Sequence, residues 1–182
     1  MKTILLLFIN SIFGLAGIGQ DSTISLSKFE TFSSQPLKIL KIETKEIGSV
    51  GSWMVTKLKT TDAATGINVS AVKIDQKFFN NVPEIVNPTT LYIDIEGLDS
   101  VINALDYFIK EQNIQKPEGY LEYSYFTSAD VKVSCYYAGN WRFEISKVYQ
   151  KLRSPVAGSV ITFNKKRITE LVELLRQSEI AK

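Results

Sequence analysis

The feature that most constrains the fold is a strand, cap and helix pattern that occurs twice, 70 residues apart. At this one offset an apolar strand end, a helix-capping residue and an apolar helical stripe all align with a second copy. The aligned pairs are Leu91 and Ile161, Ile93 and Phe163, Asp94 and Asn164, Leu98 and Ile168, Val101 and Leu171, Ile102 and Val172, and Leu105 and Leu175. Because both stripes have the period of a half-buried helix, the sequence predicts an internal duplication.

Short runs rich in Val, Ile and Thr, separated by turn residues, predict four strands before each helix. The predicted strands are 37–45, 53–59, 66–75 and 89–93, then 119–126, 131–137, 141–147 and 159–163. The first helix is expected to begin after an N-cap at Asp94 and to end near Gln112, and Asn164 is expected to cap the second. The region between the third and fourth predicted strands, 77–88, is expected to be a long loop.

The predicted fold class is therefore α+β, with two ββββα units, antiparallel sheets braced by two helices. The first unit is expected at 36–116 and the second at 117–182, forming one compact body. A small β-sandwich or barrel with two flanking helices is the alternative. Residues 20–35 are rich in Ser and Thr and have little periodicity, so we expect a loosely ordered N-terminal arm or a weak edge strand.

This order of elements resembles that of whirly proteins and of Pur-alpha repeats across nearly the whole chain, at the level of topology. The resemblance implies two antiparallel four-stranded sheets braced by helices, and many members of those families bind single-stranded nucleic acid. No family sequence motif is present, so the resemblance assigns no functional residue. The chain has a nearly balanced charge and begins with a predicted secretory leader, and both features depart from the pattern of those nucleic-acid-binding families.

The first 19 residues have the three parts of a cleaved secretory signal peptide. Lys2 supplies the positive charge, residues 4–13 form the apolar run, and Gly17 and Gly19 fit the positions that a signal peptidase reads. We expect cleavage before Gln20 and a mature protein that is secreted or periplasmic. The apolar run is shorter than the roughly 20 residues of a membrane-spanning helix, so no transmembrane segment is expected in the mature chain.

The chain contains no histidine and a single cysteine, Cys135. Catalysis by Ser-His-Asp or Cys-His groups, zinc sites built from histidine or thiolate ligands and an internal disulfide are therefore excluded. Cys135 lies in an alternating apolar strand and is expected to be a small buried hydrophobe. We expect no cofactor and no metal. The acidic group of Asp94, Glu96 and Asp99 is interpreted as favourable charge at a helix start, with a calcium or magnesium site as the alternative.

Two candidate binding features remain. Lys165, Lys166 and Arg167 at the start of the closing helix are a candidate anion site, since exposed helix amides and cations both attract phosphate or sulfate. The aromatic residues of the second unit alternate mostly toward a core face. Tyr136 alone falls on the polar face among the middle strands, and we retain it as a candidate aromatic contact.

These observations predict an exported, non-enzymatic binding or structural module. The alternatives are a nucleic-acid or polyanion-binding protein of whirly type and, third, a carboxylate-dependent hydrolase. Lys and Arg number 21 against 19 Asp and Glu, so no strong nucleic-acid binding is expected. A protein or a glycan remains a candidate partner.

Overall fold

Eight strands form two separate four-stranded antiparallel sheets in the computed structural model, which describes residues 25–76, 89–113, 116–149, 155–156 and 159–180. The first unit contains β1 (Leu40–Val50), β2 (Trp53–Asp62), β3 (Asn68–Gln76), β4 (Thr90–Asp94) and α2 (Ile95–Glu111), preceded by a short α1 (Lys28–Ser33). The second contains β5 (Leu121–Phe126), β6 (Val131–Tyr137), β7 (Trp141–Lys147), β8 (Ile161–Phe163) and α3 (Lys165–Ile180).

Each sheet is a simple meander in which every strand pairs with the next along the chain. The order is β1-β2-β3-β4 in the first sheet and β5-β6-β7-β8 in the second, and one helix follows the last strand of each. The predicted α+β class with two ββββα units is therefore confirmed. The predicted leader at 1–19 and the predicted loop at 77–88 lie outside the described residues.

The two helices hold the sheets together because each one packs on both units. α2 and α3 contact each other, α2 also contacts β5 and β6, and α3 also contacts β1 and β2. Leu98 and Leu105 of α2 and Leu171 and Leu175 of α3 are completely buried in one core with both sheets. Neither unit covers its own sheet alone, so the hydrophobic core depends on both copies.

The residue pairing of the strands is equivalent in the two units. Ile74 of β3 pairs with Leu91 of β4, and Ile145 of β7 pairs with Ile161 of β8. On their other sides, Ile74 pairs with Val55 of β2 and Ile145 pairs with Val133 of β6. Val55 and Val133 are therefore equivalent positions, and equivalences along the other strands follow from the register.

Residues 28–33, which were expected to belong to a loosely ordered arm, form a capped helix. Ser27 and Glu30 form a capping box, and Phe29 and Phe32 are buried against the outer face of the first sheet. Lys147 of the second unit forms an ion pair with Glu30 at 2.8 Å. α1 therefore contacts both units. Its two-residue hydrophobic pattern is too short to produce a periodic signal.

The expected cap of α2 is also different. Asp94 occupies the N-cap position, but its side chain makes no hydrogen bond to α2. Its Oδ2 accepts from the backbone N–H of Lys28 at 2.9 Å, and its Oδ1 accepts from that of Phe29 at 3.1 Å. Asn164 does cap its own helix, accepting from the N–H of Arg167 at 3.0 Å. The two equivalent cap residues thus serve different helices.

Candidate functional site

A pocket of about 400 Å³ lies on the helix side of the first sheet, beside the start of α2. The strands supply nearly all of its wall, and lysines dominate the polar groups. The lining residues are Glu43, Thr44, Lys45, Lys57, Lys59, Asn68, Ser70 and Ile95. The pocket is therefore concave, open to solvent and rich in positive charge.

The register of β1 and β2 brings the charges together. Lys45 lies directly opposite Lys57, and Glu43 lies directly opposite Lys59. Like charges at directly opposite positions destabilise a sheet, because their Cβ atoms are only about 4.5–5.5 Å apart. An anion bound between Lys45 and Lys57 would relieve their repulsion.

The carboxylate and one of the lysines already have partners. The Nζ of Lys41 donates to Glu43 at 2.9 Å, and this hydrogen bond, with the positive charges of Lys41 and Lys59, holds the pKa of Glu43 below its usual value. The Nζ of Lys57 donates to the backbone oxygen of Ser178 near the end of α3, at 2.8 Å. Lys45 and Lys59 are both exposed and form no hydrogen bond or ion pair within the described part of the chain. These two amines are available to a ligand.

Several residues of the lysine pocket have equivalent positions in the second sheet, where those positions belong to the core. By register, Lys45 is equivalent to Tyr123 and Lys57 to Cys135. In the same way, Lys59 is equivalent to Tyr137 and Ser70 is equivalent to Trp141. On the helices, the 70-residue offset makes Tyr107 of α2 equivalent to Gln177 of α3, and Phe108 equivalent to Ser178. Every polar member of the set belongs to the first sheet or to the helix that covers it.

In the second unit these positions form a filled aromatic cluster. Tyr123 contacts Tyr107, Phe108 and Trp141, with ring centroids 5.9, 6.1 and 6.4 Å apart. Tyr137 packs edge-on against Trp141 at 5.4 Å. The prediction that these aromatic residues face the core is confirmed, since Tyr123 and Trp141 pack on the core and Tyr137 is buried. The lysine pocket of the first sheet lies at the position that is equivalent to this aromatic cluster.

Lys165, Lys166 and Arg167 do not converge on one point. The Nζ of Lys165 contacts Asn113, beyond the end of α2, while the guanidinium of Arg167 lies against the Gly51 turn between β1 and β2. Asn164 already accepts from the amide of Arg167. All three side chains are exposed, and the anion site predicted there stays a prediction.

Tyr136 lies on the polar face of the second sheet, as predicted, with its ring 6.3 Å from that of Tyr120. Tyr120 is exposed and donates to Glu122, which raises the pKa of the phenol to about 12. Glu122 also forms an ion pair with Lys132 at 2.6 Å. Burial raises the pKa of Glu122, but the hydrogen bonds from Lys132, Ser124 and Tyr120 outweigh it and lower that pKa to about 2. The polar side chains around Glu122 on this face therefore form hydrogen bonds and an ion pair with one another.

Two of the three acidic residues at the start of α2 have structural partners. Asp94 accepts from two amides of α1, and Glu96 forms an ion pair with Lys28 at 3.1 Å. Among the described residues no group of three metal-ligating side chains occurs. Cys135 is buried, and burial raises the pKa of its thiol to about 12, as expected of a small core hydrophobe.

The alternation of charged residues along two strands indicates the lysine pocket, although the nearly balanced total charge does not. Lys41, Glu43 and Lys45 alternate along one strand, and Lys57 and Lys59 alternate along the next. Because alternate residues of a strand share a face, the two runs had to lie on single faces of adjacent strands. The tight turn between them at residues 51–52 places those faces side by side. The sequence does not indicate on which side of the sheet these two faces lie, and the strand register in the structure places them on the helix side.

The described residues contain no helix that is long and apolar enough to cross a membrane. Comparisons of the chain with protein-family models, with curated proteins and with solved structures gave no match.

Proposed function

We propose that the protein is an exported, non-enzymatic binding module that holds an anionic ligand in the lysine pocket of its first sheet. The observation that carries this proposal is the placement of Lys45 opposite Lys57, next to Lys59, in a concave and solvent-open site. Natural sequences break a local rule of strand pairing chiefly where function requires it. An anion bound between these amines would convert the repulsion into attraction.

Several features support a binding role over catalysis. The chain has no histidine, its one thiol is buried with a raised pKa, and the pocket has a single carboxylate, Glu43, already paired with Lys41. Hydrolysis by a pair of carboxylates needs two such groups about 5–10 Å apart. Export rests on the leader at residues 1–19, whose charged, apolar and small-residue segments occur in the required order.

The chemistry of the lining defines the ligand class. Amines bind phosphate, sulfate and carboxylate groups through charge-assisted hydrogen bonds, and Ser70 and Asn68 add neutral polar groups beside them. A volume of about 400 Å³ is at the small end of ligand sites, which generally span about 300–1,000 Å³. The pocket therefore suits a compact molecule with two or more anionic groups better than a single ion.

The proposal is tested by calorimetric titration with pyrophosphate, comparing two double variants. Lys45→Gln with Lys59→Gln removes both unpartnered amines of the pocket. Lys165→Gln with Lys166→Gln removes the same charge from the alternative site at the start of α3. Each charge-assisted hydrogen bond contributes about 1.5–3 kcal/mol, so the pocket variant should bind at least about tenfold more weakly. The α3 variant should bind as the unmodified protein does.

Two outcomes would contradict this assignment. Equal binding by the pocket variant would remove the pocket as the site, and loss of binding only in the α3 variant would place the anion at Lys165 and Lys166. Circular dichroism of each variant serves as the folding control. Measurements at about 50 and 200 mM salt should show weaker binding at the higher concentration, because the contacts are ionic.

A polyanion of nucleic-acid type is the second candidate, favoured by the position of Lys41 and Lys45 on an exposed edge strand. A strand of phosphates could pass from the pocket across this edge. Fluorescence anisotropy with a labelled single-stranded oligonucleotide distinguishes the two ligands. We expect weak binding, and a dissociation constant below about 1 μM that weakens steeply with salt would favour the polyanion.

A further inference from the structure

The outer edge of β1 is the most exposed apolar edge in the described part of the chain. β1 is 11 residues long and pairs only with β2. Ile42 is 58% exposed, and Leu37 and Ile39, just before the strand, are 105% and 76% exposed. Long edge strands with apolar side chains favour pairing with another strand, and proteins usually protect them.

The backbone groups along this edge point outward at known positions. The N–H of Ala63 donates to the carbonyl of Ile39 at 2.8 Å, so the polar backbone groups of Ile39 face β2. In an antiparallel ladder alternate residues point to opposite sides of the strand. The N–H and C=O groups of Leu40, Ile42 and Thr44 therefore face away from the sheet, toward any strand that would add to it.

We propose that a second copy of this chain adds to that edge, with the two β1 strands antiparallel and a two-fold axis at Ile42. In this register Ile42 pairs with Ile42 of the second copy, and Leu40 pairs with Thr44. Lys41 then lies opposite Glu43 of the second copy, twice by symmetry. The outward-facing backbone groups of Leu40, Ile42 and Thr44 meet in pairs, and Lys41 and Glu43 complement each other.

Neighbouring registers are less favourable. An axis at Glu43 would place that carboxylate against itself and Lys41 against Lys45. An axis at Thr44 would pair Glu43 with Lys45, but it would place Ile42 against Glu46 and would bring Lys41 against Ile47, which packs on the hydrophobic core. A row of lysines alone would repel a second copy, whereas the alternating signs of Lys41 and Glu43 attract one. Of these three registers, the one with its axis at Ile42 is therefore the most favourable.

The fold also limits how far the pairing extends. The regular ladder of β1 is interrupted by a bulge between Glu46 and Gly48. At Gly48 a side chain of α3, Leu174, lies so close that an added Cβ would be 2.8 Å from it. The half of β1 before the bulge is the exposed half. The two-fold axis would join the sheets into one of eight strands, with both lysine pockets on the same face.

The inference is tested on the protein produced from the full sequence, by analytical ultracentrifugation across a concentration series. A mass of two chains is expected, with dissociation on dilution. Lys41→Glu places a carboxylate against Glu43 of the second copy at two symmetric positions. Each opposite-charge pair contributes about 0.2–1 kcal/mol relative to a neutral pair, so the dimer should weaken about tenfold or more.

The reciprocal double variant, Lys41→Glu with Glu43→Lys, restores opposite charges in the same register and should recover the dimer. Lys116→Glu makes the same change of charge at an exposed site away from β1 and should leave the dimer intact. Hydrogen exchange adds a local measurement, since the outward amides of Ile42 and Thr44 should be protected only in the dimer. A single-chain mass up to about 100 μM would overturn the inference. So would a dimer that Lys41→Glu leaves unchanged.

Discussion

Replacing Asp94 by asparagine should destabilise the protein even though the two side chains have nearly the same shape. Both carboxylate oxygens are used, one by the N–H of Lys28 and the other by that of Phe29. Asparagine has a single acceptor oxygen, so one of these amides would face an NH₂ group. α1 would lose one of the two oxygen atoms that accept hydrogen bonds from its first turn, and the negative charge beside its N-terminus would be removed.

The magnitude follows from the environment of the two bonds. Removing one partner of a buried hydrogen bond costs about 1–3 kcal/mol, and one of these two bonds is exposed while the other is partly buried. The free energy of unfolding should therefore fall by about 1–2 kcal/mol. Because Phe29 and Phe32 of α1 are buried on the first sheet, this loss is coupled to the packing of the sheet.

Urea unfolding followed by tryptophan fluorescence measures the change, and the midpoint should fall by about 0.5–1 M. The matched control is Asn164→Asp, the reverse exchange at the equivalent position. A carboxylate there still caps its own helix, beside three cations and the positive end of the helix dipole, so stability should be unchanged or rise by about 0.3–1 kcal/mol. Equal effects of the two exchanges would refute the assignment of Asp94 to α1. Hydrogen exchange at Thr31, whose N–H bonds to Ser27, should increase only in Asp94→Asn.

Three further results are expected. The thiol of Cys135, with its pKa raised to about 12, should not react with a thiol reagent at pH 8 until urea unfolds the chain, and rapid native reaction would contradict its burial. Glu122 has a folded pKa of about 2, below its unfolded value of about 4.3, so its contribution to stability is present above that value and is lost as the pH falls to about 2. Glu122→Gln should flatten stability in that pH window, and an unchanged acid transition would contradict the network. Lys45→Gln should stabilise the protein by about 0.2–1 kcal/mol at low salt by removing the repulsion with Lys57, whereas Lys41→Gln, which loses an ion pair, should not.

The fold was accessible from sequence because its strongest signals are local and repeated. β6 and β7 begin and end where alternation and the turn at residues 138–140 predict. The helical stripes predicted from Leu98 and Ile168 onward are buried as expected. Two copies of the same pattern reinforce each other, since a chance periodicity does not recur with a matching cap. The α+β arrangement follows from that repetition.

Other parts depend on contacts that no local pattern encodes. β1 extends through a bulge between Glu46 and Gly48 to Val50, beyond the predicted end of this strand at residue 45. α1 is stabilised by a carboxylate 65 or 66 residues away along the chain. The role of Asp94 likewise depends on a tertiary contact, because the sequence around it is that of an ordinary helix start. In each case tertiary structure supplied the deciding interaction.

The position of the lysine pocket follows from comparing the two units with each other. Two similar units that share one core are expected to have apolar residues at equivalent positions, because each buried aromatic side chain contributes about 1.5–3 kcal/mol or more through burial. In the first unit the positions equivalent to Tyr123, Tyr137 and Trp141 are all polar or charged, and so are those on the covering helix. Polar or charged residues at all of these positions, on three strands and a helix that border an open and basic pocket, support the proposed anion site.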